Sequence, residues 1–544
     1  MVKKRKAKPP AKAPLRLPRY WSSGLLLGVI LFFGLIRIRL LTLPLERDEG
    51  EYAYAGQLIL HGIAPYRFCY TMKLPGTAAA YALIEAIFGQ TPTGIHLGLL
   101  LVASATTILV YFLATRLFGT WAGVVAGASF AFLSVSPSVL GFAGHATQFV
   151  VLPAVGGILI LLRAIAAQRL RLFLWSGILL GLAGLMKQPG VFFVVFGIFW
   201  LVQSQWRRPL EWRKLSLQSA TLLCGAAIPL GLTCLLLFRT GVFQKFWFWT
   251  FSYASEYGTA VPLSTGVQLL WEACLSVIGP AWPLWLLAAA GIALMIWEPK
   301  TRTHVSFAAG FLIFSFAATS SGLYFRNHYF VLMLPAVALL CAGGVQAGTG
   351  LLLGSDSTRK WAALPALVFL FALVFSVLLQ REVFFVMDPL AACRKFYPTN
   401  PFAEAVQISD FLKNHSTPAD RIAVIGSEPE IYFYSDRLSA TGYVYMYPLM
   451  EPQPFASTMQ KEMIAEIELA HPRFIVFVDA TLSWLRRSDS DLTILQWAES
   501  YTSNGYRVVG VADMLQEGTE YHWADAATYR PRSFFRLFVF ERVS

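Results

Sequence analysis

The sequence predicts a polytopic α-helical membrane protein of about eleven crossings, with an α/β domain outside the bilayer at its C-terminal end. Three observations predict it. Of the 544 residues, 56% are hydrophobic and only 14% are charged, where soluble domains are roughly a quarter charged. Apolar runs of about 18 residues or more recur between short polar breaks, each long enough to cross a hydrocarbon core. After about residue 381 the pattern changes to short β-branched and aromatic runs separated by helical periodicity.

Taken in order, the chain opens on a basic tail, residues 1–20, with eight Lys and Arg in the first 19 positions. No small-residue cleavage site lies near, and the following apolar run is too long for a cleaved signal peptide. The tail reads as a cytoplasmic anchor close to anionic headgroups. This placement of the net charge of +13 argues for a lipid bilayer as partner and against nucleic acid. Crossings are expected at 21–45, 94–116, 120–138, 148–166, 171–186, 190–204, 215–238, 276–297, 305–321, 329–350 and 360–380. With the N-terminus inside, the inner connections hold Arg116, Arg163, Arg169, Arg171, Arg207, Arg208, Arg213, Lys214, Lys300, Arg302, Arg359 and Lys360. The outer connections hold far fewer, which is the positive-inside pattern. An odd number of spans then places residues 381–544 outside the cytoplasm.

Within the membrane module, 21–380, the outer loop 46–93 is too long for a simple connector. Its "EGEYAYAGQLILHG" and "GTAAAYALIEAIFG" repeat apolar residues at helical spacing and predict amphipathic helices along the membrane surface. A second outer loop, 239–265, is aromatic and suits the headgroup level. In the C-terminal domain, "RIAVIG" (421–426), "RFIVFVDA" (473–480), "YRVVGVADM" (506–514) and "FFRLFVFERV" (534–543) predict strands, with helices at 402–414 and 456–470. "VIGSEPE" has one glycine and is no phosphate-cradling loop. Of six scattered cysteines, only Cys69 and Cys393 fall in expected extramembrane segments, which leaves a disulfide between them open.

Chemistry concentrates on the outer side. Glu46, Asp48, Glu49 and Glu51 crowd four carboxylates into six positions directly after the first apolar run. Asp48 with Glu51 makes an N-capping arrangement, an acid followed three residues later by Glu. Four acids at a lipid boundary exceed what a cap needs, and a carboxylate there is suited to act as general base toward a hydroxyl or amine. Lys73 lies between the two helical segments, where an ammonium can face an anion. "YFRNHY" (324–329) adds Arg326 and His328 as phosphate donors. His145 and Gln148, in "GFAGHATQF", are outer-face polar groups that hydrogen-bonded structure alone would explain. Midplane ionisable residues and paired broken helices, the marks of a transporter, are missing from this pattern.

With these residues in view, the chain resembles the bacterial members of the GT-C superfamily of integral-membrane glycosyltransferases, similar to protein O-mannosyltransferases and the lipid A aminoarabinose transferase. The resemblance covers roughly residues 20–380. It rests on "RDEGEYAYAGQLILHGIAPYRFCYTMKLPG", "GLMKQPG" (184–190) and "YFRNHYFVLMLPAVALL" (324–340). It implies a GT-C-like fold in a bacterial inner membrane and transfer of a sugar from a polyprenyl-phosphate carrier. The acceptor would be an envelope lipid, glycan or protein at the periplasmic face. Asp48 would be the base, with Glu49 shaping the site, and Lys73, Arg326 and His328 would meet the carrier phosphate. Tyr52, Tyr66, His145, Gln148 and Lys187 are candidates for substrate contact or a second site. The motif's usual Lys-Pro-Pro reads Lys73-Leu74-Pro75 here. Many relatives place a second acid after the third crossing, where this chain has His145 and Gln148. No cofactor or metal ligand is assigned on that basis, although a divalent metal stays open. From other classes, a lipid-linked-sugar flippase and a non-catalytic assembly subunit compete.

Overall fold

The structure, a computed structural model, describes residues 19–206 and 211–543. The basic tail through residue 18, with Arg207 and Arg208 of the inner charge pattern, lies outside the described residues. Among the described residues, eight helical stretches are long and apolar enough to cross a membrane: Tyr20–Arg39, Pro92–Phe118, Ala146–Ala167, Gln188–Gln205, Trp212–Arg239, Leu263–Trp297, Asn327–Leu353 and Arg359–Leu379. Shorter apolar helices at Thr120–Val135, Leu170–Met186 and Val305–Thr319 fall on the remaining expected crossings. The chain is a multi-pass membrane protein.

Packing inside the bundle follows residue size. The Leu334–Leu353 helix is the axis, and the most apolar stretch of Asn327–Leu353 is 94% buried. Its glycines let neighbours approach: a Cβ on Gly344 would stand 2.7 Å from the Cα of Gly291, and one on Gly291 would run into the Leu340 carbonyl. Helices Leu170–Met186 and Trp212–Arg239 cross in the same way at Gly177, Gly181 and Gly225. Without a hydrophobic difference between lipid and side chain, such close contacts are what hold membrane helices together. On the outer faces of Trp212–Arg239 and Leu364–Leu379, leucines and phenylalanines stay exposed, as a lipid boundary requires.

The long 46–93 loop forms helices Arg47–Leu60 and Gly76–Phe88. The first is not a half-exposed surface helix: Arg47, Glu49, Gly50, Glu51, Tyr52, Ala53, Tyr54, Gly56, Gln57 and Leu58 are all buried. The C-terminal domain covers it. That domain is a six-stranded mixed sheet in the order β2-β1-β3-β6-β4-β5. Its strands are β1 (Arg421–Ile425), β2 (Leu438–Ser439), β3 (Phe474–Asp479), β4 (Tyr506–Leu515), β5 (Gly518–His522) and β6 (Arg536–Arg542). The first three run parallel, and β6, β4 and β5 are joined antiparallel.

Alternation along the strands divides the side chains between two cores. Ile422, Val424, Phe474, Val476 and Val539 face a cluster that continues into Tyr52, Tyr54, Leu58, Tyr81 and Phe149 of the membrane module. Ala423, Ile425 and Ile475 face another that includes Tyr70, Trp249 and Tyr253 of the outer loops. Both cores of the domain are therefore completed by the membrane module. Cys69 and Cys393 are free thiols, so the disulfide left open by the sequence is not formed.

Candidate active site

The acidic run starts the Arg47–Leu60 helix, and its acids separate by role. Glu46, not Asp48, is the N-cap: its carboxylate accepts from the Glu49 amide at 2.9 Å, and Glu49 reaches back to the Glu46 amide at 3.5 Å. The expected Asp48–Glu51 cap is thus displaced by two residues. Asp48 is left to face the interior of the site. Its Oδ1 accepts from Lys73 Nζ at 2.7 Å and from the Tyr445 hydroxyl at 3.1 Å. Its Oδ2 lies 3.6 Å from His145 Nδ1 and 3.9 Å from His328 Nε2. Lys73 also binds Glu51 at 2.5 Å and sits over the Tyr52 ring at 4.5 Å. Burial opposes ionisation of Asp48, but Lys73 and the His145 imidazole outweigh it and hold the carboxyl well below its usual range.

Helix geometry points Glu49 elsewhere. It is fully buried and accepts from the Gly144 amide at 2.6 Å and lies 3.2 Å from His96 Nε2, which fastens the acidic helix to the loop before His145. Tyr66, in the left-handed region at φ 63°, donates to the Lys73 carbonyl at 2.8 Å and so shapes the backbone behind the lysine. Gln148 donates to the Ser134 carbonyl at 3.3 Å and does not join the cluster. His145 does: its ring stacks on His328 with centroids 3.9 Å apart and planes 7° apart. Burial favours the neutral ring, but Glu46 and Asp48 raise His145 above its ordinary value.

Two cations complete the surroundings. Lys187 ends the Leu170–Met186 helix and stands 3.7 Å above the Tyr329 ring. Arg326 lies over Tyr324, itself stacked on Tyr257. Lys73 is compensated by two carboxylates, whereas among the described residues neither Lys187 nor Arg326 has a carboxylate within ion-pair distance. Burial pushes the Lys187 ammonium down to about 7, with Asp48 opposing and Lys73 and Arg326 reinforcing the shift. A cation patch of this kind, uncompensated and beside a carboxylate, is a place for an anion.

The fold has solved counterparts. ArnT from Cupriavidus metallidurans, in a crystal structure bound to undecaprenyl phosphate, matches with a TM-score of 0.61 at 15% identity, over 96% of this chain and 98% of that one. The chain has the GT-C fold. A structure of the oligosaccharyltransferase AglB from Archaeoglobus fulgidus, in complex with an inhibitory peptide and a dolichol-phosphate, matches at TM-score 0.52 and 15% identity. That match spans 95% of this chain and 75% of AglB. Residues 73–231 match the family described as dolichyl-phosphate-mannose-protein mannosyltransferase. No curated protein matches the sequence.

In this chain, Asp48, Lys73, His145 and His328 come together, with Lys187, Arg326 and Tyr52 close by, while Glu49, Tyr66 and Gln148 support the site from behind. Sequence reasoning missed two features. One is Tyr445, from the C-terminal domain; the alternating tyrosines of "YVYMY" (443–447) outside any strand pattern were its only signal. The other is a donor set for a metal. Ligand atoms of Asp48, His145 and His328 all lie within 4.8 Å of one another, and neither ring nitrogen of the buried His145 has a hydrogen-bond partner. One carboxylate and two imidazoles suit a divalent cation such as zinc.

Proposed function

We propose that this chain transfers a glycosyl group from a polyprenyl-phosphate carrier to a hydroxyl or amine of an envelope acceptor at the outer membrane face. The carrying observation is the pairing of uncompensated Lys187 and Arg326 with a carboxylate, Asp48, whose Oδ2 carries no short hydrogen bond. The carrier seen with ArnT and the phosphate seen with AglB support the same substrate class. The positive-inside charge pattern supports an outer, periplasmic site.

Asp48 accepts the acceptor's proton as the acceptor oxygen or nitrogen bonds to the anomeric carbon. The bond from that carbon to the phosphate oxygen breaks, and the electron pair leaves with the polyprenyl phosphate. Lys187 and Arg326 hold the phosphate as its charge grows. Lys73 acts chiefly on the base, tethering Asp48 to Glu51. Attack opposite the leaving phosphate inverts the anomeric carbon. A divalent cation held by Asp48, His145 and His328 would take Oδ2 of Asp48 as a ligand, so it is an alternative to the base role and would supply positive charge beside the reacting centre instead.

The test uses full-length protein in nanodiscs, wild type beside Asp48→Asn, with radiolabelled polyprenyl-phosphate sugars and membrane extract as acceptor. Wild type is expected to release free polyprenyl phosphate, and Asp48→Asn to be slower by roughly 10²–10⁴-fold, the usual worth of a general base. Equal release from both moves the chemistry away from Asp48. Undiminished carrier translocation in Asp48→Asn, without release, turns the reading toward a flippase.

A further inference from the structure

The C-terminal domain and the acidic helix hold each other by two reciprocal contacts at adjacent residues. Arg47 reaches from the helix into the domain. Its Nε donates to the Ser427 carbonyl at 2.6 Å, and its Nη atoms donate to Tyr447 Oη at 2.8 Å, Glu428 at 3.0 Å and Asn400 at 3.2 Å. The return contact is Tyr445, whose hydroxyl donates to Asp48 Oδ1. Tyr445 is itself fixed: its ring packs edge-on against Tyr447 at 5.0 Å, the Tyr447 hydroxyl donates to the Leu482 carbonyl at 2.6 Å, and the Met446 amide donates to Ser427 Oγ at 2.8 Å.

The consequence falls on one oxygen. Lys73 and Tyr445 together occupy Oδ1 of Asp48, and the carboxylate cannot rotate about its Cβ–Cγ bond without losing the bond from Tyr445. Oδ2, which faces the stacked histidines, is therefore the oxygen presented for proton transfer. Lys73 alone could follow a rotation, because its flexible stem and three donors adapt. A tyrosine anchored in the sheet domain cannot.

We infer that Tyr445 is a positioning residue of the catalytic centre, contributed by the C-terminal domain, which selects Oδ2 of Asp48 as the basic oxygen. This rests on the function proposed above. It makes the domain a part of the chemistry and not only a cover over it.

The experiment compares full-length wild type and Tyr445→Phe in nanodiscs, with a polyprenyl-phosphate sugar turned over by the wild type. It reads kcat, the KM for carrier, carrier binding without acceptor, and thermal stability. The expected result is a kcat lower by about 10- to 100-fold, the cost of a misplaced reacting group, with KM, carrier binding and melting temperature unchanged. A wild-type kcat in Tyr445→Phe overturns the inference. So does a raised KM at unchanged kcat, which would make Tyr445 a substrate contact, or a lowered melting temperature with parallel loss of carrier binding, which would make its role structural. Absence of turnover by the wild type itself, across the panel of carriers, overturns the proposed function and this inference with it.

Discussion

At the scale of single residues, the site is organised by which charges are compensated. In the sequence Lys73 stands between two helices, where an ammonium can face an anion, and the family resemblance makes it a phosphate contact. Folded, it lies between Asp48 and Glu51, and the uncompensated cations come from residues far along the chain, Lys187 and Arg326. With the carrier phosphate held by Lys187 as proposed, its binding is expected to depend on pH. Burial favours its neutral amine above about 7, with Asp48, Lys73, Arg326 and His328 the charged or titratable groups that act on it. Binding a phosphate requires the ammonium, so binding takes up a proton, and affinity falls as pH rises through about 7 and beyond. In carrier-binding titrations from pH 6 to 9, wild type is expected to weaken with pH and Lys187→Arg to stay nearly flat over the part due to this residue, because a guanidinium stays charged. Lys187→Ala is expected to bind more weakly at pH 6 by roughly 10- to 100-fold, the worth of a charge-assisted hydrogen bond.

At the scale of elements, the acidic helix is held by close backbone approach as well as by charge. A Cβ on Gly50 would lie 2.6 Å from the backbone nitrogen of Glu430, at the start of the Glu430–Ser435 helix. The two helices would have to separate, and Arg47 with its buried partner Glu428 would be pulled apart. Gly50→Ala is expected to cost about 1–3 kcal/mol, read as a lower melting temperature, and to reduce turnover through Asp48. Gly24→Ala, where nothing lies within 4 Å, serves as the neutral comparison. Helix and strand positions were legible in the sequence because periodicity records burial. β1, β3, β4 and β6 fall on the expected runs, while β2, two residues long, and β5, at the sheet edge, carry too little apolar pattern to stand out.

At the scale of the whole molecule, membrane module and sheet domain share their cores. Tyr54 packs on Tyr432 with ring centroids 5.1 Å apart and accepts from the Ser439 amide at 2.9 Å, while Tyr70 and Trp249 close the other core. Residues 381–544 expressed alone would expose those surfaces, and are expected to aggregate or to bind a hydrophobic dye without a cooperative melting transition. The membrane module without them is expected to lose turnover, since Arg47 and Tyr54 lose their partners and Asp48 loses Tyr445. A soluble, cooperatively melting fragment would contradict the shared core.

The sequence by itself determined what repeats locally: the apolar runs that became membrane helices, the alternation that became the sheet, and the concentration of acids, lysine and histidines in the loops at one end of the bundle. Only the tertiary structure decided which of those groups meet. Capping passed from Asp48 to Glu46 by the local path of the chain. His145 and His328 became neighbours because their two helices begin side by side, and Tyr445 reached Asp48 across 397 positions of sequence. Burial leaves a periodic trace in sequence, whereas a charge or hydroxyl takes its meaning from the partner it finds, and that partner is set by packing between segments distant along the chain.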